Sequence, residues 1–331
     1  MADENPAPER IADCLAVVEA GLGRDRVLDI RVQGGGLFNY LLRVETRSGT
    51  YFFKQYLDGI ENPLYSPPRI PAIERAELAE RVQRLAATAG PAGAVPEIVA
   101  FDRQRRAFLM TAAPGERPLN DALARGELPA AFLTGLPRVL AGLHQTTYGR
   151  FAPDSLLANT EFRDFKLGLQ YDDIAARLTP AEAERVLRCR REYQRRTDCV
   201  THGDINSRNI IASDTALGVI DFEQSHLGTP AYDLAYILCE VLISQEAAGA
   251  DSVAAIGEFL DRYFADFTAA HRDSVEIEVT QHLAVQTLYR FWGPSRAAWT
   301  GYVDEPSGAR VIARARELLL ADGPVTALLG R

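Results

Sequence analysis

The sequence predicts an α+β protein in two unequal parts, a small strand-rich one followed by a larger, mostly helical one. Three observations predict it. Between residues 28 and 111, short apolar and aromatic runs with a period of two are separated by glycine, proline and turn residues. Beyond Pro114-Gly115 the apolar spacing lengthens to helical periodicity. Strands come in one run and helices in another, which argues for segregated layers and against alternating βαβ units. With 331 residues, 47% hydrophobic and 24% charged, the chain has enough apolar material for a sizeable core.

Residues 8–21 read as an amphipathic helix. Residues 28–32 form a short strand, ahead of Gly34-Gly35-Gly36. Residues 39–46 alternate as a strand, Arg47-Ser48-Gly49 is a turn, and 50–56 is an aromatic strand, so the pair is a hairpin opened by a glycine loop. The stretch 58–71 holds four prolines and reads as an irregular excursion. Residues 72–89 form a helix with Leu78, Val82 and Leu85 on one stripe. Strands follow at 98–101 and 107–111, around a turn at 102–106. After a linker near 111–115 come helices at 129–147, 161–177, 180–197, 229–246, 251–271, 275–298 and 307–321, interrupted by short strands near 209–212 and 217–221. The expected division is an N-terminal lobe, residues 1–111, and a C-terminal lobe, residues 112–331.

Bulk charge narrows the function classes. The formal net charge is -9, with no basic run to meet a phosphate backbone, so no nucleic-acid partner is expected. The four cysteines, Cys14, Cys189, Cys199 and Cys239, lack metal-ligand spacing and read as reduced buried thiols. The N-terminus lacks the basic and apolar regions of a signal peptide, and no apolar stretch is long enough to span a bilayer. No membrane association is expected, and the expected location is the cytoplasm. Of 36 basic residues only Lys54 and Lys166 are lysine. A lysine kept among so many arginines points to a need for a compact ammonium.

The segment with the clearest chemistry is Thr201-His202-Gly203-Asp204-Ile205-Asn206-Ser207-Arg208-Asn209, followed by Val219-Ile220-Asp221-Phe222-Glu223. Phosphoryl transfer needs cations to neutralise phosphate charge, a group to orient the attacking hydroxyl, and a cradle for the donor. Mg²⁺ takes hard oxygen ligands, commonly one or two carboxylates completed by phosphates and water. An Asp, an Asn five positions later and a second Asp after a short apolar strand supply these parts. Asp204 is expected at the acceptor hydroxyl and Asn209 and Asp221 at the metal, with Glu223 as a further ligand.

His202-Gly203-Asp204-x-x-x-x-Asn209 with Ile220-Asp221-Phe222-Glu223 resembles the catalytic and metal-binding loops of the aminoglycoside phosphotransferase and choline kinase-like superfamily. The stretch Gly228-Thr229-Pro230-Ala231-Tyr232-Asp233-Leu234-Ala235 resembles that family's segment downstream of the metal-binding Asp. The resemblance implies a bilobal, protein-kinase-like fold, a catalytic Asp204, metal ligands Asn209 and Asp221, and a structural Asp233 tying a helix start to the catalytic loop. It also implies Mg²⁺ and ATP or GTP as co-substrate.

In such a lobe, Lys54 in Tyr51-Phe52-Phe53-Lys54-Gln55-Tyr56 stands where a lysine contacts the α- and β-phosphates and pairs with a helix glutamate. Glu74, Glu77 and Glu80 are the candidates, with Glu74 nearest the apolar stripe. Gly34, Gly35 and Gly36 would form the phosphate-covering loop. Met110 and Ala112, in the stretch before Pro114, would form the hinge whose backbone meets an adenine edge. His144 reads as a packing histidine. In the C-terminal helices, Arg290, Trp292, Trp299, Asp304 and Glu305 fall in the region that shapes the acceptor pocket in the family.

The Gly36-Leu37-Phe38-Asn39-Tyr40 stretch and the Asp221/Glu223 pair resemble the methylthioribose kinase branch, whereas Asn209 and 231–235 resemble the aminoglycoside phosphotransferase branch. Where protein kinases carry His-Arg-Asp and Asp-Phe-Gly in these loops, this chain has His202-Gly203-Asp204 and Asp221-Phe222-Glu223, and no Ala-Pro-Glu follows Glu223 to close an activation segment, which favours a small acceptor. The expected acceptor is a hydroxyl of an aminoglycoside, a nucleoside or sugar antibiotic, or a methylthioribose-like metabolite. Choline or ethanolamine is the alternative. A non-catalytic nucleotide-binding pseudokinase is the alternative of another class, and intact Lys54, Asp204, Asn209 and Asp221 argue against it.

Overall fold

The computed structural model describes residues 6–34, 39–58, 70–151, 157 and 160–330. A five-stranded antiparallel sheet, in the order β1-β2-β3-β5-β4, is built from β1 (Val27–Val32), β2 (Asn39–Thr46), β3 (Thr50–Tyr56), β4 (Ile98–Asp102) and β5 (Ala107–Thr111). Strand side chains alternate between faces. Phe53, Leu42, Val44, Ala107 and Leu109 therefore share one face, which packs on Cys14, Val17 and Val18 of α1 (Pro8–Leu22). On the other face Tyr56, Phe108 and Met110 pack on Ala72, Ala76 and Ala79 of α2 (Ala72–Ala89). Lys54 pairs with Phe108 in the ladder and so lies on the α2 face.

The rest of the chain is helical around one large core. It contains α3 (Leu119–Leu123), α4 (Ala130–Thr147), α5 (Glu161–Leu167), a π-helical turn (Gly168–Asp172), α6 (Asp173–Ala175) and α7 (Pro180–Gln194). After the loop region come α8 (Pro230–Ala248), α9 (Ser252–Asp266), α10 (Arg272–Trp292), α11 (Arg296–Thr300), α12 (Glu305–Leu320) and α13 (Val325–Leu329). Helix α8 is buried from Pro230 through Gln245, which explains its near-continuous apolar sequence. Short strands complete this part: β6 (Arg117–Pro118) pairs with β8 (Ile210–Ala212), β8 with β9 (Leu217–Val219), and β7 (Cys199–Thr201) with β10 (His226–Gly228). The small sheet and large helical part form the expected bilobal α+β fold. No helix among the described residues is long and apolar enough to cross a membrane. All four cysteines are free and buried.

Three expectations change. The helix expected over 161–177 contains the π turn, a widening that sequence periodicity does not register. The helix expected over 275–298 stops at Trp292, because Gly293 and Pro294 end it, and restarts as α11. Strands β6, β7 and β10 are only two or three residues long, too short to show a period.

The two parts meet closely where the end of α2 approaches α4. A Cβ at Gly142 of α4 would overlap the carbonyl oxygen of Ala89. Gly257, inside α9, has open space around it. Gly142→Ala is expected to lower stability by about 1–3 kcal/mol through overpacking. Gly257→Ala is expected to raise it by about 1 kcal/mol through helix propensity. Urea denaturation of both variants checks the pair.

Candidate active site

The loop from His202 to Asn209 leaves β7 and is fixed at both ends by α8. Asp233, in the first turn of α8, accepts from the backbone N–H of His202 (2.6 Å) and of Gly203 (3.0 Å). His144 Nε2 donates to the same carboxylate (3.1 Å), and Tyr263 Oη donates to His144 Nδ1 (2.9 Å). Burial alone would raise the pKa of Asp233, but these partners reverse the balance and lower it. Asp233 and His144 thus occupy the structural places expected of them.

Gly203 has φ +77°, and a Cβ there would overlap the carbonyl oxygen of Gln224, so glycine is required. His202 Nε2 donates to Ile220 O (3.0 Å), while its Nδ1 accepts from the Asp204 N–H (3.3 Å). This pattern needs a neutral imidazole. Burial, which pushes its pKa down, keeps it so.

These contacts aim Asp204, whose side chain is 18% exposed. Oδ1 accepts from Lys166 Nζ (2.7 Å) and Tyr236 Oη (3.1 Å). Oδ2 accepts from Asn209 Nδ2 (3.2 Å) and Gln224 Nε2 (3.3 Å). Lys166 also donates to Gly203 O (2.6 Å). Burial lowers the Lys166 pKa against the pull of Asp204.

The second half of the site forms where β3 faces the loop after β9. Ile220 N–H donates to Asn209 O (3.0 Å), which sets Asp221 beside the His202–Asn209 loop. Asp221 has φ +72°, an uncommon conformation for a residue with a Cβ. Its Oδ1 accepts from Lys54 Nζ at 2.6 Å. Burial disfavours both charges, yet mutual attraction wins: the Lys54 pKa is raised and that of Asp221 lowered. Glu223 Oε2 accepts from Asn39 Nδ2 (2.8 Å) and lies 3.5 Å from Arg75 Nη1. Burial, then repulsion from Asp221, raises the Glu223 pKa.

Lys54, Asp204, Asn209, Asp221 and Glu223 are therefore neighbours in the fold. Glu74 does not join them, because it lies on the exposed side of α2. The buried face of α2 runs through Ala72, Arg75, Ala76, Ala79 and Val82, and its charged member is Arg75. Glu77 pairs instead with Arg103, and Glu80 with Arg84. The carboxylate that meets Lys54 is Asp221. Gly34 is exposed, while Gly35 and Gly36 lie outside the described residues. Met110 turns its side chain into the α2-facing core, and the Ala112 N–H donates to Thr50 O (3.3 Å), so that N–H is already engaged. Trp299 is at the site's edge, whereas Asp304 caps α12 by accepting from Ser307 N–H (2.7 Å). A cavity of about 120 Å³ lined by Cys189, Tyr193 and His282, among others, contains none of the expected site residues.

Sequence reasoning missed Lys166 and Tyr236 as partners of Asp204. The signal for Lys166 was present: both lysines of the chain lie in this site. Tyr236 carries no such mark within the apolar α8.

The donor set suits a hard divalent cation held mainly by its ligand. Among the described residues no group of three or more His, Cys, Asp or Glu side chains is arranged to hold a metal ion. Asp221 and the Asn209 amide oxygen supply a sparse oxygen pair, the pattern in which phosphates and water complete the Mg²⁺ shell. Asn39 Oδ1 is buried without a hydrogen-bond partner among the described residues, while Nδ2 of the same amide donates to Glu223.

Residues 29–276 match the model of a family described as the phosphotransferase enzyme family (APH). A choline/ethanolamine kinase family protein from Mesorhizobium loti has a similar structure, with 16% identity and a TM-score of 0.55 over 96% of this chain and 97% of that one. The GDP and kanamycin complex of APH(2″)-IIIa is similar at 15% identity and a TM-score of 0.53, over 92% of this chain and 98% of that one. The ADP-bound aminoglycoside phosphotransferase APH(2″)-Ib is similar at 15% identity and 0.50, over 95% and 99%. At these identities the likeness is one of fold. No curated protein matches the chain.

Glu240 of α8 braces the His202–Asn209 loop, accepting from Ser207 N–H (3.3 Å), and is itself held by the fully buried Arg290 (2.8 Å). Arg290→Met would leave Glu240 buried without its cation. The expected loss is about 3–5 kcal/mol in urea denaturation, partly recovered when Glu240→Gln is added.

Proposed function

This chain belongs to the phosphotransferase enzyme family, and we propose that it moves the γ-phosphoryl group of ATP or GTP to a hydroxyl of a small molecule, with Asp204 at that hydroxyl. The observation that carries the reading is the 2.6 Å contact between Lys54 and Asp221, residues 167 positions apart, beside the Asp204–Asn209 pair. A cation and two carboxylates meeting between the small sheet and the helical part are what a triphosphate and a hydroxyl require. We place the lobe boundary between residues 111 and 112, where the sheet ends.

Asp204 accepts the hydrogen bond of the acceptor hydroxyl and orients its oxygen toward the γ-phosphorus. The new P–O bond forms as the bond to the β–γ bridging oxygen breaks. The hydroxyl proton passes to the Asp204 carboxylate, and the nucleoside diphosphate leaves. Lys166 and Tyr236 fix the carboxylate through Oδ1, so its orientation does not depend on the acceptor. Lys54 meets the donor phosphates. Asn209 and Asp221 would hold Mg²⁺, with Glu223 anchoring Asn39 and Arg75 behind them. When bound, Mg²⁺ neutralises charge on the phosphate oxygens.

The acceptors in view are an aminoglycoside, a nucleoside or sugar antibiotic, and a methylthioribose-like metabolite, with choline or ethanolamine second. A pseudokinase reading is weakened by Lys166, since a non-catalytic module has no use for a buried cation aimed at Asp204.

Asp204→Asn is expected to lower kcat by about 10²–10⁴-fold while nucleotide affinity stays within about threefold. Unchanged turnover in a coupled assay of nucleoside diphosphate release would refute the assignment. In isothermal titration, Asp221→Ala is expected to weaken Mg²⁺–nucleotide binding by about tenfold or more, and equal affinity would remove Asp221 from the metal site. Lys166→Met is expected to cost about 10–100-fold in kcat, the value of one charge-assisted contact. Partial rescue by added alkylamines, but not by alcohols of equal size, separates its charge from its packing.

A further inference from the structure

The side chains around Asp204 bear on the charge of the acceptor, an inference that rests on the kinase reading and deepens it. The two carboxylate oxygens face different groups. Oδ2 is on the side of Asn209. Oδ1 is on the side of Lys166 and Tyr236, where contacts form a ring that returns to the catalytic loop. Lys166 Nζ lies 4.8 Å from the centre of the Tyr236 ring, and the Arg290 guanidinium lies 4.7 Å from it. Arg290 is also 4.5 Å from the Trp299 ring, and Arg208 is 4.6 Å from that same ring. Arg208 sits between Asp204 and Asn209 in sequence, so the ring closes.

Two features of this wall bear on a ligand. Its exposed charge without an ion pair among the described residues is positive, although the whole chain carries -9. Lys166 is balanced by Asp204 and Arg290 by Glu240. Exposed Arg208 has no ion pair among the described residues, and its guanidinium contacts Ala298 O (3.3 Å). Arg290 Nη1 is buried without a hydrogen-bond partner among the described residues. The other groups here, Gln170 and Gln286, are neutral and bonded to each other (2.8 Å). Asp304 is spent on capping α12.

The second feature is that the aromatic rings are already occupied. A cationic ligand is recognised by ring faces and by carboxylates. Here the protein's own cations hold those positions, Lys166 and Arg290 at Tyr236, Arg290 and Arg208 at Trp299. An amine-bearing acceptor would meet repulsion where it needs a cage.

We propose that the acceptor is a hydroxyl compound without cationic groups, and that Arg208 is the specificity-determining side chain, meeting a carboxylate or phosphate where the acceptor carries one. This separates the neutral and anionic acceptors from the aminoglycosides and choline.

The test uses the full chain with Mg²⁺ and ATP. Acceptor-dependent ADP release is measured with neutral sugars and nucleosides, sugar acids, sugar phosphates, kanamycin and choline. Turnover is expected only with acceptors lacking an amine or ammonium group, and the sugar-acid and sugar-phosphate arms tell carboxylate from phosphate. Arg208→Glu is expected to raise KM for an anionic acceptor about tenfold, the scale of one charge-assisted contact, with the KM for ATP little changed. Equal or higher kcat/KM for kanamycin or choline overturns the proposal.

A second measurement needs no substrate. Trp292→Phe leaves Trp299 as the sole tryptophan. Relative to free indole, iodide is expected to quench its fluorescence about threefold better than caesium, and Arg208→Glu to reverse the order. Caesium quenching as well as iodide overturns the proposal. Failure of the kinase reading looks different: no acceptor raises ADP release above the Asp204→Asn background, whatever the quenching ratio.

Discussion

The rest of the site depends on one ion pair. Lys54 lies on the third strand of the small sheet and Asp221 on the loop after β9, yet their charged atoms are 2.6 Å apart. Side-chain exposure is 10% for Lys54 and 31% for Asp221. Removing water from an ammonium is costly, and an opposite charge at contact distance offsets that cost only if both partners are held in place. The sheet holds Lys54 through its ladder with β2 and β5, and the Asn209–Ile220 backbone bond holds Asp221. The strained φ of Asp221 is maintained by the same bond and by the aromatic contact of Phe222 with His202, whose ring centres are 4.5 Å apart. An incoming triphosphate would meet a lysine already desolvated and already aimed.

Helix α8 plays the corresponding part for Asp204. Asp233, Tyr236 and Glu240 fall at i, i+3 and i+7 and so share one face. Asp233 takes the backbone at His202 and Gly203, Tyr236 takes the Asp204 carboxylate, and Glu240 takes the backbone at Ser207. Three side chains of one buried helix thus hold the His202–Asn209 loop. Behind them, His144 and Arg290 supply donors to the two buried carboxylates, so each carboxylate has a partner on its far side. Function and core packing are inseparable here, because the residues that orient the loop are also among the most buried polar groups in the chain.

Much of this was legible in the sequence. The run of strands and then helices gave the bilobal architecture, since period two and period 3.6 separate cleanly on either side of Pro114. The spacing singled out His202-Gly203-Asp204, Asn209 and Asp221, which are neighbours in the fold, and the family resemblance singled out Asp233, which holds the backbone at His202 and Gly203. The partner of Lys54 was not legible. The stripe through Leu78, Val82 and Leu85 is the side of α2 that packs on the large helical core, whereas a second buried side, through Ala72, Arg75, Ala76 and Ala79, faces the sheet that carries Lys54. The wall beyond Asp204 was legible only in part. Arg290 and Trp299 fell in the region expected to shape the acceptor pocket, but their meeting with Tyr236 depends on tertiary contacts between α8, α10 and α11, and the expected helix ran on over the Gly293-Pro294 breaker that separates α10 from α11. Lys166 was the exception, marked by lysine rarity although no local motif surrounds it.

The central claim is that Lys54 and Asp221 flank the place where a nucleotide's phosphates bind. A diffraction structure with Mg²⁺ and a non-hydrolysable ATP analogue tests it most directly. The expected result is triphosphate density between the two side chains, with the Lys54 ammonium on a phosphate oxygen and the cation on Asp221. Density for the nucleotide elsewhere, with the 2.6 Å pair still closed, would contradict it.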